Sequence, residues 1–302
     1  MQDNRPCLKR LDASFGAEIA GIDLSQPVSA DASRMLRDAF DAHAVLLFRD
    51  QQLDPAGVAR FARLFGPLQR LRLLQPRPGK DPEFYSCPEE PDVTVIGTVK
   101  REGWPKPMFT NSVENWHVDE GYKPHPNRAT LLYAVTTPGA GDDTAFADML
   151  AAYEALDDTT EDRIETLQGV YSVERLDAVF RAVEPERPPL RAETVAAHPP
   201  VRHPLVRVHP ATGRKSLFVV PPVMSHIDGM EPEASMALAE ALAAHALQPK
   251  FQYRHTWRTG DLLIWDNLFT MHRATAFDAE RYERLLLRTM IADTGGAGLN
   301  GA

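Results

Sequence analysis

The run Asn115-Trp116-His117-Val118-Asp119 sets an imidazole and a carboxylate two residues apart. On an extended strand, side chains at i and i+2 point to one face, roughly 6–7 Å apart at the base. His117 and Asp119 can therefore converge on one metal ion while Val118 turns the other way. A third ligand candidate, His272, lies far downstream in Trp265-Asp266-Asn267-Leu268-Phe269-Thr270-Met271-His272-Arg273. Two histidines and one carboxylate on one face of an ion leave positions open for other ligands, the donor set of non-haem Fe(II) oxygenases. The same set can hold zinc in a hydrolase, and an isolated His-X-Asp pair also arises by chance.

A second constellation lies near the end of the chain. In an extended segment over residues 284–290, Arg284, Leu286 and Arg288 share one face, and Leu285 and Leu287 take the other. Either that face is solvated, as charged side chains mostly are, or it lines a cavity. In a cavity each guanidinium needs an anion, because an unpaired buried charge is costly. A planar guanidinium grips a carboxylate or sulfonate through two parallel hydrogen bonds. Four residues along a strand put the two arginines roughly 13 Å apart at the base, which suits two different anions.

These residues must be positioned by the elements around them. Residues 11–24 alternate between glycines and read as a short strand pair. A helix is predicted over 29–44, with Ser29 as its cap and Met35, Leu36 and Phe40 at helical spacing. A compact apolar strand follows over 44–49, then a second helix from Asp54-Pro55 to Phe65. Strands are predicted over 116–119, 129–135, 251–257, 261–265 and 285–291, and helices over 149–156, 160–167 and 231–245. Residues 184–200 are rich in proline and alanine and read as a surface excursion. Residues 69–113 are irregular apart from a strand over 93–99, and are expected to hold an active-site lid. The glycine-rich tail 294–302 is expected to fray. Many short strands around a few helices predict a mainly β fold with flanking helices, a sandwich or barrel, and residues 1–302 read as a single domain.

Composition narrows the partners. The 302 residues are 43% apolar and 25% charged, ordinary for a globular protein, with a net charge of −9. That charge is spread along the chain, which argues against nucleic acid and anionic membrane as main partners. Cys7 and Cys87 are too few for a disulfide framework or a cysteine zinc site and fit a reducing compartment. Residues 1–15 have no apolar h-region, and the longest apolar runs (44–48 and 131–135) are far short of a membrane span. The chain reads as cytoplasmic.

Taken together, His117-X-Asp119, Gly141-Asp142-Asp143-Thr144, Trp265-Asp266-Asn267, His272 and the Arg284/Arg288 pair resemble the taurine dioxygenase / 2,4-dichlorophenoxyacetate dioxygenase family. Further matches are Gly16-Ala17-Glu18-Ile19, His203-Pro204-Leu205-Val206-Arg207, Gly213-Arg214-Lys215-Ser216-Leu217-Phe218 and His226-Ile227-Asp228-Gly229-Met230. The resemblance runs from about residue 11 to 290 and is poor across 69–113 and 172–200. It implies a double-stranded β-helix (jelly-roll) core and an Fe(II)- and 2-oxoglutarate-dependent oxygenase that uses O₂ and forms succinate and CO₂. It also implies that His117, Asp119 and His272 hold iron, and that Arg284 and Thr144 meet the distal carboxylate of 2-oxoglutarate. Arg288 would take the anionic group of a small organic substrate. Val113, Val223 and Met224 fall near positions that shape the family pocket, and all are apolar, which favours an acid with a larger apolar body over a taurine-like one. Arg70 and Arg72 either add anion affinity or are merely exposed. His203, His209 and His226 are expected to be structural, and Asp266-Asn267 to shape the turn before His272 and support the metal site. A jelly-roll protein that binds an acid without turnover, and a zinc hydrolase, are the competing readings; the second leaves Arg284 and Thr144 unexplained. Relatives are often oligomeric, so a homo-oligomer is compatible, although no apolar stripe commits this chain to one.

Overall fold

The computed structural model describes residues 6–11, 13–75, 84–108, 115–139 and 141–293. An antiparallel pair, β1 (Cys7–Arg10) and β2 (Ala17–Ala20), leads into α1 (Ala30–His43). Ser29 caps α1, its hydroxyl accepting from the Ala32 N–H, and Leu36 and Phe40 bury one face. The helix stops at Ala44, whose φ is 60°, and β3 (Val45–Phe48) starts at once. Asp54 caps α2 (Pro55–Ala62) by accepting from the Gly57 N–H at 2.7 Å. Pro55 sits in the first turn, where its missing N–H leaves no bond unmade. Then come β4 (Leu68–Gln69), β5 (Ser86–Cys87), β6 (Glu90–Gly97), β7 (Ala129–Thr136) and β8 (Thr144–Asp148). Asp148 caps α3 (Met149–Glu154) and Asp157 caps α4 (Asp158–Ile164). Next are β9 (Gln168–Tyr171), α5 (Val173–Val183), α6 (Ala192–Ala197), β10 (Val201–Pro204), β11 (Val206–Val208), β12 (Lys215–Leu217) and β13 (Met224–Ile227). The chain closes with α7 (Pro232–Ala246), β14 (Gln252–His255), β15 (Leu262–Asp266), β16 (Thr270–Ala274) and β17 (Leu285–Ile291).

The larger sheet runs β1-β2-β3-β15-β7-β17-β6-β5, with β4 also beside β17, and β14-β8-β16 form a smaller one. Strand alternation sorts the apolar side chains into layers. Between the sheets lie Val45, Leu132, Phe146, Leu263, Trp265 and Leu286, with Phe146 meeting Trp265 edge-on at 5.4 Å between ring centroids. The outer face of the larger sheet carries Leu131, Leu262 and Leu287, covered by Phe40 of α1 and Phe61 of α2. Beyond the smaller sheet, Ala147 and Met271 pack with α3 and α7 through Ala152 and Leu242. Each large apolar side chain withdrawn from water here contributes about 1.5–3 kcal/mol. Two facing sheets, antiparallel apart from the β2–β3 pair, with helices outside make the jelly-roll core that the family resemblance implied.

Three expectations need correction or division. Residues 116–119 form no strand; His117 makes a single bridge to His272 and the chain then turns. Residues 69–113 are not wholly a lid. Within them β4, β5 and β6 join the larger sheet, where Val93 and Val95 enter the core, and residues 71–75 and 106–108 face a cavity. Residues 184–200 are not merely an excursion, because they hold α6, and α5 precedes them where no helix was expected. The tail 294–302 and Val113 lie outside the described residues. No helix among the described residues is long and apolar enough to cross a membrane.

One buried ionic cluster ties helix to sheet just ahead of the third ligand candidate. Arg128, preceding β7, donates to Asp266 at the end of β15 and to Asp41 of α1, the latter at 3.0 Å. All three side chains are buried, and His209 Nε2 stands 4.0 Å from both carboxylates. Burial raises the pKa of Asp41 and Asp266, and Arg128 opposes that rise. Arg128→Ala strands two buried carboxylates and is expected to lower stability by about 3–5 kcal/mol. The measurement is the urea midpoint at constant slope. A midpoint matching wild type would show that this cluster does not hold α1 to the sheet.

Candidate active site

His117 and His272 are held opposite each other by their own main chains. The N–H of each donates to the carbonyl of the other, both at 2.9 Å. Such a reciprocally bonded antiparallel pair puts its two side chains on the same face, and the imidazole centroids lie 4.3 Å apart. His117 Nδ1 lies 2.7 Å from the Asn115 carbonyl. That bond makes Nδ1 the protonated nitrogen and leaves the Nε2 lone pair free, 4.0 Å from Asp119 Oδ1. His272 is buried; among the described residues its Nδ1 has no hydrogen-bond partner, and its Nε2 lies 3.9 Å from Asp119 Oδ2. Burial and the adjacent His117 depress the His272 pKa well below its ordinary value, which keeps the ring a neutral donor. One ligand atom from each of His117, Asp119 and His272 lies within 4.8 Å of the others. Although residues 116–119 are not a strand, the alternation holds. Val118 joins the core beneath the smaller sheet, Trp116 packs against it, and Arg273 lies over the Trp116 ring.

Asp119 is fixed by side chains. Its Oδ2 accepts from the Thr130 hydroxyl of β7 at 2.5 Å and faces Arg288 Nη2 of β17 at 2.7 Å. Thr130 accepts in turn from Asn267 Nδ2 at 2.9 Å, and Asn267 Oδ1 accepts from the Trp265 indole at 3.0 Å. Burial alone would raise the Asp119 pKa. Arg288, both imidazoles and Thr130 outweigh it and hold the carboxyl well below the usual range. Asp266 shapes the turn, its Oδ1 accepting from the Leu268 N–H and its carbonyl from the Thr270 hydroxyl. The supporting role expected of Asp266-Asn267 has this physical form. Thr130 escaped the sequence reading, where it was one hydroxyl in an apolar strand.

Arg284 and Thr144 are both buried, and the chain links them through Asp142. Arg284 is pinned by its backbone: its N–H donates to the Thr98 hydroxyl, and its carbonyl accepts from the Thr98 N–H at 2.9 Å. Gly97 lets β6 come this close, since a Cβ there would stand 2.1 Å from the Arg284 oxygen. The Arg284 Nε donates to Asp142, two residues before Thr144, and all three are buried. Thr144 Oγ1 accepts from the Trp257 indole at 3.0 Å. Leu286 lies in the inter-sheet core between the two arginines, while Leu285 and Leu287 enter the outer core, as the strand alternation required.

A cavity of about 510 Å³ opens over His117, Asp119 and Arg288. Its walls include Leu71, Leu73, Leu74, Tyr122 and Val223, and α5 lays Leu176, Val179 and Phe180 across it. The sequence reading missed α5, although Ser172 caps it and Val173, Leu176, Val179, Phe180 and Val183 recur at helical spacing. Arg72 lines the cavity, whereas Arg70 is exposed and faces Asp92 at 3.4 Å. Met224 is not on the wall; it is buried in the core beneath the smaller sheet. The other histidines stay apart from the triad. His203 Nε2 bonds the Lys123 carbonyl, His226 bonds Ser225, and His209 adjoins the Arg128 cluster, burial pushing its pKa down to about 4.

The family described as "Taurine catabolism dioxygenase TauD, TfdA family" matches residues 7–290. The chain belongs to this TauD/TfdA family. It is 33% identical to the alpha-ketoglutarate-dependent 2,4-dichlorophenoxyacetate dioxygenase of Cupriavidus pinatubonensis, over 92% of this chain and 95% of that one. It is 33% identical to the (S)-phenoxypropionate/alpha-ketoglutarate-dioxygenase of Sphingobium herbicidovorans, over 93% of each. The crystal structure of AAD-2 in complex with Mn(II) and N-oxalylglycine superposes with a TM-score of 0.78 at 29% identity, covering 97% of this chain and 99% of that one. As a TauD/TfdA member the protein is a 2-oxoglutarate-dependent non-haem iron dioxygenase, using Fe(II), 2-oxoglutarate and O₂. The hydrolase and passive-binder readings fall with that finding.

The triad fits the iron that the family requires. It offers an ionised carboxylate and two imidazole nitrogens within 4.8 Å of one another, and burial keeps His272 neutral, so that its Nε2, 3.9 Å from Asp119 Oδ2, can present a lone pair to a cation. His117→Ala, Asp119→Ala and His272→Ala are each expected to abolish turnover and greatly weaken Fe(II) binding while circular dichroism stays native. Thr130→Val, which frees Asp119 from one support, should weaken Fe(II) about 10–100-fold. Anaerobic Fe(II) titration checks all four. Wild-type affinity in any triad variant removes that residue from the site, and in Thr130→Val it would leave Arg288 as the sole orienting partner.

Proposed function

We propose that this dioxygenase oxidises a small organic acid with a bulky apolar body, whose anionic end is taken by Arg288. One observation carries the reading: Arg288 lines the cavity beside Asp119, and the walls around it are largely aliphatic and aromatic. The Asp119 contact engages Nη2, and a guanidinium has five N–H donors, so a carboxylate or sulfate can share it. The relatives named for 2,4-dichlorophenoxyacetate and (S)-phenoxypropionate, and an alkylsulfatase of Acinetobacter baylyi 31% identical over 97% of this chain, support an anionic substrate with an apolar body.

In this reading His117, Asp119 and His272 would hold Fe(II), and Arg284 with Thr144 would receive the distal carboxylate of 2-oxoglutarate. Bound Fe(II) supplies oxidative decarboxylation of 2-oxoglutarate to succinate and CO₂, coupled to hydroxylation of the substrate. Where the hydroxylated carbon bears a heteroatom leaving group, cleavage follows. The protein contributes placement and exclusion of water. Arg288 fixes the acid so that the neighbouring C–H faces the triad, and Leu71, Val179, Phe180 and Val223 dry the space around it. Residues 71–75 and α5 form the roof. Gln75 links the first of these to the stretch beyond α5, accepting from the Arg191 N–H at 2.7 Å and donating to the Pro189 carbonyl at 3.4 Å. We read residues 1–302 as one catalytic domain acting in the cytoplasm, a location supported by two free cysteines.

The test is succinate and product formation under air with Fe(II) against aryloxyalkanoic acids, alkyl sulfates and taurine. Coupled turnover is expected for the apolar acids, and coupling confined to taurine would overturn the proposal. The arginines should separate at saturating Fe(II). Arg284→Ala raises the 2-oxoglutarate requirement by one to several orders of magnitude, since it removes the charged partner of a buried carboxylate, about 3–5 kcal/mol. Arg284→Lys restores it only partly, because a point charge cannot form the fork. Arg288→Ala keeps the charge-transfer band of the anaerobic Fe(II)–2-oxoglutarate complex and slow uncoupled succinate formation, while product falls. Loss of that band in Arg288→Ala would assign this arginine to the wrong anion.

A further inference from the structure

Asp142 already occupies the guanidinium that 2-oxoglutarate must reach. Its Oδ2 accepts from Arg284 Nε, and the two side chains are only 2% and 9% exposed. The backbone at Asp142 has φ 57°, a region that glycine enters freely and other residues seldom do. The chain therefore keeps a carboxylate at a strained position, against a buried cation, in the pocket assigned to another carboxylate.

We infer that Asp142 is a resident counter-ion of Arg284 that sets the affinity for 2-oxoglutarate. The inference rests on the assignment of Arg284 to the distal carboxylate. Without cosubstrate, Asp142 neutralises a guanidinium that would otherwise be buried alone. With cosubstrate bound, two carboxylates share one guanidinium and repel each other, so the bound state favours protonated Asp142. The charged groups around Asp142 are Arg284, just ahead of β17, and Asp143 on its own turn. Asp143 is itself engaged by Arg254 of β14 at 2.5 Å. Burial lifts the Asp142 carboxyl to about 6, with Arg284 opposing the rise. A second anion on Arg284 lifts it further, so binding takes up a proton, and affinity for 2-oxoglutarate rises as pH falls toward that value.

Asp142→Asn removes the charge at nearly constant shape, and Asp142→Gly removes charge and strain together, so at least one neutral variant should fold. The measurement is 2-oxoglutarate binding to the anaerobic Fe(II)-loaded proteins by calorimetry, at about pH 8 and about pH 6.5 and in buffers of different ionisation enthalpy. At the higher pH both variants are expected to bind about tenfold more tightly than wild type, the scale of relieving one like-charge contact. Their advantage should shrink at the lower pH, and the proton uptake seen in wild type should vanish. Taking variant-to-wild-type ratios cancels protonation of the metal ligands, which all three proteins share. Without cosubstrate, Asp142→Asn should melt earlier than wild type. Weaker or unchanged binding in both variants would overturn the inference and leave Asp142 as a clamp that merely positions Arg284. Arg284→Ala separates the two levels: wild-type affinity there removes the underlying assignment, whereas weakened binding there without tightening in the Asp142 variants removes this inference alone.

Discussion

Two backbone hydrogen bonds, exchanged between His117 and His272, fix the geometry on which the rest of the site depends. They make the spacing of two metal-ligand candidates a property of the main chain, not of rotamers, and they splice the irregular segment after Asn115 onto β16. Once the imidazoles are set, the remaining freedom lies in Asp119, two residues on and outside any ladder. The protein restricts it from the facing sheet, through Thr130, Asn267 and Trp265 on one side and Arg288 on the other. The site thus exists only where both sheets of the jelly roll are present. The smaller sheet supplies one histidine, the larger one supplies the restraints on the carboxylate, and the core between Phe146 and Trp265 keeps them at distance.

A common rule governs the charges in this interior. Arg288 faces Asp119, Arg284 faces Asp142, and Arg128 faces Asp41 and Asp266. Each of these three cations has a carboxylate already in place, as desolvation demands. The consequence differs by location. Arg128 is closed within the fold and its cluster serves only to join α1 to the turn ahead of His272. In the proposed reading Arg288 and Arg284 each receive a small anion, and their protein partners then become competitors for it, or groups that share it.

Much of this was legible in the residues. The alternation of Arg284, Leu286 and Arg288 against Leu285 and Leu287 held, because a strand buried on both faces leaves each side chain one choice of layer. The caps at Ser29 and Asp54 held because a side-chain oxygen satisfying a free N–H is a local event. The reading failed where long-range contact decides conformation. Residues 116–119 have the pattern of a strand, yet only His117 finds a partner. The strand read over 93–99 is there as β6, but its place beside β17, which takes Val93 and Val95 into the core and not into a lid, rests on long-range pairing. The pairing of Asp142 with Arg284 across 142 positions has no local signature. Helix α5 did have one, and its apolar face was overlooked because proline-rich sequence follows it.

The stretches where the sequence resemblance to the family is poor also wall the cavity over the triad. Resemblance is weak across 69–113 and 172–200, and from those stretches come Leu71, Leu73, Leu74, Tyr85, Met108, Leu176, Val179 and Phe180 on the cavity wall. The residues that would handle iron and 2-oxoglutarate lie on or beside β8, β16 and β17, whose hydrogen bonds and core contacts leave little room for change. Loops and a helix laid over such a scaffold can alter without disturbing it, since few of their contacts enter the inter-sheet core. The reaction is therefore set by the strands. In the proposed reading the choice of acid falls to the roof over the cavity, and for that reason the reaction class could be read from motifs while the substrate could only be approached through the shape and polarity of the cavity.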